Sequence, residues 1–255
     1  DYAGHALALS LLGNLLRLRY RGDIDRLDTL PVLFQKAGDK TSRHAFKVMQ
    51  AYEDWFAGTP ELSLLYLLGL FDRPVELEVF EALWQAQIVG LTDTIQAAEW
   101  FNAIDSLRHD HHILTDSSDS EQEGGSEQVL DCHPLIREYF GAQLKQNNPE
   151  AWQAAHECLY AYYKAVPDKE FPDTLEEMRP LFYAVKHGCE AELYQQVFDE
   201  VYWLRISRND EKYLASKLGA FSDDLAVISH FFSKQWDVVQ RNIPKDCKDL
   251  LISLV

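Results

Sequence analysis

Residues 130–140 read LDCHPLIREYF and predict a short strand that turns directly into a helix. Leu130 and Cys132 suit the strand, and Pro134 suits the first helical position, where its missing N–H costs nothing. Apolar residues then recur at helical spacing, at Leu135, Ile136, Tyr139, Phe140 and Leu144. This pattern places His133 at or next to the N-cap of the helix.

The predicted position of His133 is compatible with two interpretations. Free backbone N–H groups and the positive end of the helix dipole favour an anion at a helix start. An imidazole there can donate a ring N–H to a phosphate even when it is neutral. In the other interpretation His133 only caps the helix and binds nothing, which the residues alone favour, because helix starts are common and ligands are few.

The residues before this stretch predict three helices and a β-hairpin. The predicted elements are helices over 61–71, 75–85 and 93–108 and strands over 112–115 and 128–132. Thr92 or Asp93 is the expected cap of the third helix. With the helix that begins at Pro134, this order is typical of a winged helix, which we expect over residues 59–147. The segment 116–127 between the strands carries five acids and no base, so we expect a mobile hairpin tip.

The charge of the predicted third helix argues against DNA binding. Residues 93–108 offer three acids (Asp93, Glu99, Asp105) against one base, Arg108. A winged helix that reads a DNA groove needs Arg and Lys on this helix and on the hairpin. The whole chain carries a formal net charge of −17, which on average repels both a duplex and an anionic membrane. We therefore expect neither nucleic acid nor a membrane as a partner.

One helical region is predicted before the winged helix and one after it. Residues 1–58 hold an apolar helix over 2–20 and a second helix that starts at Thr41 or Ser42, and they predict a small helical domain. Residues 148–255 hold helices over 150–164, from about 174 to an end at Gly188, and over 190–204. Two helices joined at a glycine are typical of a helical repeat, so this region is expected to be TPR-like. The predicted fold class is mainly α.

The composition of the chain limits the classes of protein to which it can belong. The chain has 255 residues, which allows one large domain or two to three small ones, and 47% hydrophobic and 12% aromatic residues are enough for packed cores. Its four cysteines lie far apart without a CxxC pair, as in the reduced thiols of a cytosolic protein. The longest apolar run, 62–71, is too short to cross a bilayer. No signal peptide is visible. The missing initiator Met and the apolar C-terminus favour a segment of a longer protein.

Three parts of the sequence resemble STAND-type NTPases, the class that includes the NB-ARC and NACHT signalling ATPases. Residues 4–9, GHALAL, resemble the family's glycine–x–proline–leucine–alanine–leucine motif, with Ala6 at the position of the proline. Residues 132–135, CHPL, resemble the Met-His-Asp-Leu signature of the family's winged helix, with Pro134 in place of the acid. Segments that resemble a block before the tetratricopeptide repeats of large bacterial NB-ARC proteins are 173–181, 184–189 and 200–203.

The resemblance implies a function for the chain and roles for four residues. His133 would contact the β-phosphate of bound ADP and hold the closed state, and Gly4, Ala6 and Leu7 would belong to the adenine-side motif. The chain would be the regulatory and protein-interaction segment of a cytoplasmic, bacterial signal-transduction ATPase. ADP or ATP would bind the full-length parent. The implied partners are an upstream nucleotide-binding domain of the same chain and proteins that bind the helical repeats.

No sequence feature predicts catalysis by this segment. It lacks a Gly-x-x-x-x-Gly-Lys-Ser/Thr loop and an apolar strand that ends in acids able to hold magnesium. No nucleophile or pair of carboxylates forms a catalytic pattern. We therefore expect no cofactor and no ATP hydrolysis in the segment itself. The alternative function is a stand-alone helical adapter that binds protein partners.

Residues 109–112, HDHH, form a cluster of potential metal ligands. In a strand, His109 and His111 would share one face. A structural zinc site needs four ligands, and no Cys or acid at a suitable spacing completes the set. The sequence therefore favours a solvated cluster at the base of the hairpin, without a metal.

Overall fold

The computed structural model describes residues 6–29, 40–116 and 129–232, together with residues 243, 247–249 and 252. Within them the protein is mainly helical and has one small antiparallel sheet, which confirms the predicted fold class. The chain divides into two compact units, residues 1–151 and residues 152–255. The predicted helical domain (1–58) and the predicted winged helix (59–147) both lie in the first unit. In the described part, no helix combines the length and apolar character needed to cross a bilayer.

The centre of the first unit has the topology of a winged helix. Its elements are α3 (Pro60–Leu68), β1 (Val75–Glu76), α4 (Leu77–Gln85), α5 (Ala97–Asp105), β2 (Leu114–Asp116), β3 (Val129–Cys132) and α6 (Pro134–Asn147). The strands follow the order β1-β3-β2, and both pairs are antiparallel. Val75 lies opposite Leu130, and Leu114 lies opposite Cys132. Asp116 of the predicted hairpin tip ends β2, and the rest of the tip, 117–127, lies outside the described residues.

Strand β1 is an element that the sequence pattern missed. Residues 75–85 read as one helix, but Val75 and Glu76 pair with β3 and the helix begins at Leu77. Two residues are too few to show a period of two. Val75 is completely buried, so its pairing is decided by contacts with residues far along the chain.

The start of α5 also differs from the prediction. The helix begins at Ala97, with Gln96 as its N-cap and Glu99 completing a capping box. Thr92 is completely buried instead of capping the helix. Its Oγ1 accepts a hydrogen bond from the Ile88 amide at 2.8 Å and lies 3.3 Å from the Leu83 carbonyl, to which it donates. Thr92 therefore closes the turn between α4 and α5. After Asp105 the helix widens into one π-helical turn, Ser106–Asp110.

Helices α3 and α6 cross with their backbones in contact. A Cβ atom placed on Gly69, directly after α3, would lie 2.2 Å from the Gly141 amide nitrogen. A Cβ placed on Gly141, in the middle of α6, would lie 2.5 Å from the Gly69 carbonyl oxygen. Only glycine at both positions permits this approach. The crossing fixes α6, and with it His133 at the start of α6, against α3 within the winged helix.

Helices α1 (Ala6–Leu18) and α2 (Lys40–Trp55) pack against the winged helix, and the 3-10 turn Ile24–Thr29 lies between them in sequence. The carboxylate of Glu53 on α2 bridges two other helices. It accepts hydrogen bonds from the Tyr66 hydroxyl of α3 at 2.8 Å and from the Tyr139 hydroxyl of α6 at 2.6 Å. Glu53 therefore ties α2 to both helices of the Gly69–Gly141 crossing.

His111 closes the contact between α2 and the end of α5. Its ring stands edge-on to Tyr52, Trp55 and Phe56, with centroid distances of 5.9, 5.0 and 4.9 Å. The side-chain amide of Asn14 on α1 donates to the His111 carbonyl at 2.9 Å. Burial lowers the pKa of His111 below its ordinary value of 6.5. His111 is therefore a core residue that is stable in the neutral form.

Replacement of His111 by phenylalanine is expected to reduce the pH dependence of unfolding of the first unit. The unfolded chain binds a proton at His111 near the ordinary pKa, whereas the folded chain binds this proton only at lower pH. The contribution of His111 to stability is therefore present above the ordinary pKa and is lost as the pH falls below that value. A phenylalanine ring fits among Tyr52, Trp55 and Phe56 and does not titrate. Urea unfolding at several pH values between about 7 and 5 gives the free energy of unfolding, and its slope against pH is the quantity to compare. An equal slope in wild type and His111→Phe would contradict the assignment.

The second unit consists of consecutive short and long helices. They are most of α7 (Pro149–Ala165), α8 (Leu175–Glu190), α9 (Tyr194–Val197) with its π-helical continuation Phe198–Ile206, the 3-10 turn Asn209–Glu211, α10 (Tyr213–Ser216) and α11 (Phe221–Ser229). Gln153 contacts Ala191 and Tyr163 contacts Tyr183, so α7 and α8 run antiparallel.

Gly188 does not end α8, as the sequence predicted, but lies two residues inside it. A Cβ there would lie 2.3 Å from Val197 Cγ2 and 2.8 Å from Tyr160 Cδ2. The glycine therefore serves close packing of three helices. Nearby, His156 and His187 are buried with their Nδ1 atoms 2.9 Å apart, so one ring donates the shared proton and the other accepts it.

Candidate functional site

The turn between β3 and α6 carries the candidate site. His133 is the N-cap residue of α6, and Pro134 occupies the first helical position, which confirms the local prediction. The ring Nδ1 accepts a hydrogen bond from the Leu135 amide at 3.2 Å. The side chain is exposed to solvent. His133 therefore caps its helix and is also accessible from outside the protein.

The capping bond determines which ring nitrogen can act on a ligand. Because Nδ1 accepts from Leu135, a neutral His133 carries its proton on Nε2. A phosphate oxygen would accept from Nε2–H while Nδ1 continues to cap the helix. The two interpretations of His133 use different nitrogens and are compatible with each other.

The backbone amides at this helix start contribute less to anion binding than the sequence predicts. Pro134 has no N–H, and the Leu135 amide is bonded to the His133 ring. The Ile136 and Arg137 amides point to the His133 carbonyl, at 2.8 and 3.4 Å. An anion at this site would therefore depend on the imidazole and the helix dipole more than on free amide groups.

An ion pair joins the residues on the two sides of His133 in the sequence. Arg137, one turn into α6, is only 5% exposed, and its guanidinium bonds the carboxylate of Asp131 on β3. The pair joins the last residues of the strand to the first turn of the helix, across the position of His133. Burial raises the pKa of the Cys132 thiol between them to about 11, so this cysteine stays protonated and unreactive.

Neither Arg137 nor Asp131 was among the predicted site residues. A signal was present, because Arg137, Phe140 and Leu144 lie three and four residues apart and so share one face of α6. A charged residue on an apolar helix face is expected to have a buried partner. The carboxylate that pairs with Arg137 is decided by the fold and cannot be found from the spacing alone.

Two of the other predicted site residues, Ala6 and Leu7, lie at the start of α1. Gly4 lies outside the described residues. Ala6 is the first residue of α1 and is exposed, whereas Leu7 is partly buried. The adenine-side role of these three residues stays a prediction.

The histidine cluster at 109–112 is not a shared solvated surface. His111 is buried among three aromatic rings, whereas His109 and His112 are exposed. The expectation of a solvated cluster is therefore wrong for His111, because the helical turn directs it inward toward α2. Among the residues that the structure describes, no group of three or more His, Cys, Asp or Glu side chains is placed to hold a metal ion.

The helix that reads DNA in many winged helices has an acidic outer face here. Glu99 and Asp105 on α5 are exposed, and Phe101 is 47% exposed on the same helix. Such a face is more suitable for a protein than for phosphates.

Comparison of the chain with protein-family models, curated proteins and solved structures found no match.

Proposed function

We propose that this chain is the regulatory and protein-interaction segment of a STAND-type signal-transduction ATPase in the bacterial cytoplasm. The winged helix senses the nucleotide state, and the segment performs no catalysis by itself. The observation that supports this most strongly is the N-cap geometry of His133. An exposed imidazole with its proton on Nε2 stands at the start of a helix that the Gly69–Gly141 crossing holds rigidly.

In this proposal His133 acts as a phosphate contact between domains. With ADP bound to the upstream nucleotide-binding domain, Nε2–H of His133 donates to the β-phosphate and holds the winged helix in the closed state. Exchange for ATP, or a signal at the helical repeats, shifts the population to an open packing. The Asp131–Arg137 pair keeps the turn, and thus the imidazole, in a fixed position.

The contacts of Glu53 and His111 support a change of position of α1 and α2 together with the winged helix. The bonds of Glu53 to Tyr66 and Tyr139 and the ring contacts of His111 join α2 to the winged helix. The side-chain amide of Asn14 on α1 donates to the His111 carbonyl and so adds α1 to this group. We infer that these elements respond to the nucleotide as one body. Protein partners would bind the second unit, while the acids on α5 support the proposal that nucleic acid is not a partner.

The full-length gene product tests this function against the adapter alternative. We expect the natural gene to encode a P-loop upstream of Asp1, and the purified full-length protein to retain ADP and to melt at a higher temperature when ADP is added. The chain of 255 residues alone is expected to bind ADP weakly, since it lacks a phosphate-binding loop. A gene without a P-loop, or a full-length protein that ADP does not stabilise, would favour the adapter.

A further inference from the structure

The winged helix contains a cleft that the proposed nucleotide sensing does not use. It has a volume of about 410 Å³ and lies between the start of α3 and the turn before α5. Thr59, Leu62 and Tyr66 line one side, and Asp93, Ile95 and Glu99 line the other. All of these residues belong to the first unit.

The two carboxylates of the cleft are held in place by the backbone. Asp93 Oδ1 accepts from the Gly90 amide at 3.0 Å, and Glu99 Oε2 accepts from the Gln96 amide at 3.0 Å. Each bond uses one oxygen of a carboxylate, so the other oxygen has acceptor capacity left for a ligand. Preorganised carboxylates lose little conformational entropy when they bind a cation.

The lining of the cleft combines this negative charge with apolar surface. Leu62, Tyr66 and Ile95 supply apolar side chains, and no Lys or Arg is among the residues that line it. Val89, next to the lining residue Gly90, is 79% exposed, the highest value among the large apolar side chains in the described part. A ligand for such a cleft needs an apolar stem and a cationic end.

We propose that this cleft binds a basic segment of a partner protein, with one Arg or Lys side chain inserted. The aliphatic stem lies along Leu62 and Tyr66, which are partly exposed, and the cationic group contacts the carboxylates of Asp93 and Glu99. An arginine side chain has this amphipathic character. A neighbouring apolar residue of the partner covers Val89. The chain carries a net charge of −17, which speeds the encounter with a basic partner and disfavours an acidic one.

This docking site is independent of His133 and of the nucleotide. It assigns a partner to the winged helix itself, in addition to any partner of the helical repeats. The surface near the start of α5, which in a DNA-binding winged helix faces phosphates, here presents carboxylates to a cation of a protein.

The test uses the chain of 255 residues and a short fluorescein-labelled peptide of alternating leucine and arginine. Fluorescence anisotropy measures affinity, and amide NMR shifts map the site. The double variant Asp93→Asn with Glu99→Gln keeps both backbone acceptors but removes the charges. We expect about tenfold weaker binding, because two partly exposed ion pairs are lost. In the wild type we expect amide shifts at Gly90 and Thr94.

A matched double variant separates the cleft from the general negative charge. Glu138→Gln with Asp223→Asn removes two exposed carboxylates elsewhere, and its affinity for the peptide is expected to equal that of the wild type. Equal weakening in both double variants would overturn the proposal, since it would show unspecific attraction. Concentration-dependent shifts at Gly90 and Thr94 without peptide would also overturn it, because the cleft would then bind a second copy of the chain.

A second pair of variants avoids any change in packing. Val89→Lys places a cation at the rim of the cleft, and Ile24→Lys places one at a residue that is 68% exposed elsewhere in the first unit. Only Val89→Lys is expected to weaken peptide binding, by severalfold. If both lysine variants bind the peptide equally well, the cleft is not the binding site.

Discussion

Replacement of Gly141 by alanine is expected to destabilise the first unit by about 3 kcal/mol or more, because the new methyl group meets backbone and not a flexible side chain. The added Cβ would lie 2.5 Å from the Gly69 carbonyl oxygen. Relief requires that α3 and α6 separate, and this separation also displaces the Tyr66 and Tyr139 hydroxyls that Glu53 holds. Urea unfolding followed by tryptophan fluorescence, to which the buried Trp100 of this unit contributes, measures the loss.

Gly13 provides the control for this prediction. It lies inside α1, and a Cβ there would have no atom within 4 Å. Gly13→Ala is expected to raise stability by about 0.5 kcal/mol, since alanine favours the helix and glycine does not. Equal stability changes in the two variants would show that the close approach of α3 and α6 is absent in solution.

The second large effect is expected at Asp131. Its replacement by alanine leaves the guanidinium of Arg137 buried without its carboxylate, which is expected to cost about 2–3 kcal/mol, less than a fully buried pair because Asp131 is partly exposed. An exposed pair gives the contrast. Arg26→Ala removes an ion pair with Asp23 in which both side chains are more than half exposed, and is expected to change stability by less than about 0.5 kcal/mol.

A compensating change identifies the cause of the Asp131 effect. Arg137→Met in the Asp131→Ala protein removes the uncompensated charge and keeps an apolar chain of similar length. We expect it to recover most of the lost stability, since an apolar pair can replace a buried ion pair. If the double variant is as unstable as Asp131→Ala alone, the carboxylate acts through some contact other than Arg137.

The sequence patterns predicted elements best where a local signal is strong. Pro134 predicts the first turn of α6, and Asp173 or Thr174 is the expected cap of α8; α6 begins at Pro134, and Thr174 is the N-cap of α8. The misplaced boundaries share another cause. Thr92 and Gly188 resemble a cap and a stop, but tertiary contacts with Leu83 and with Val197 decide their roles.

The candidate site was predictable only in its outermost part. The helix start that exposes His133 follows from residues 130–140. The ion pair behind it, the Glu53 bridge and the carboxylate cleft join residues that lie far apart in sequence or on separate elements. The acids of residues 93–108 were visible in the sequence. The cleft that Asp93 and Glu99 line depends on the packing of α3 against the turn before α5.

The rate of ADP release from the full-length protein tests most directly whether His133 contacts the phosphate. His133→Ser keeps a capping oxygen for the Leu135 amide and removes the imidazole, whereas His133→Ala removes both. If Nε2–H donates to the β-phosphate, both variants release ADP about tenfold faster or more than the wild type, since a hydrogen bond to a charged group is lost. Release from His133→Ser at the wild-type rate would contradict the account and leave His133 as a helix cap alone.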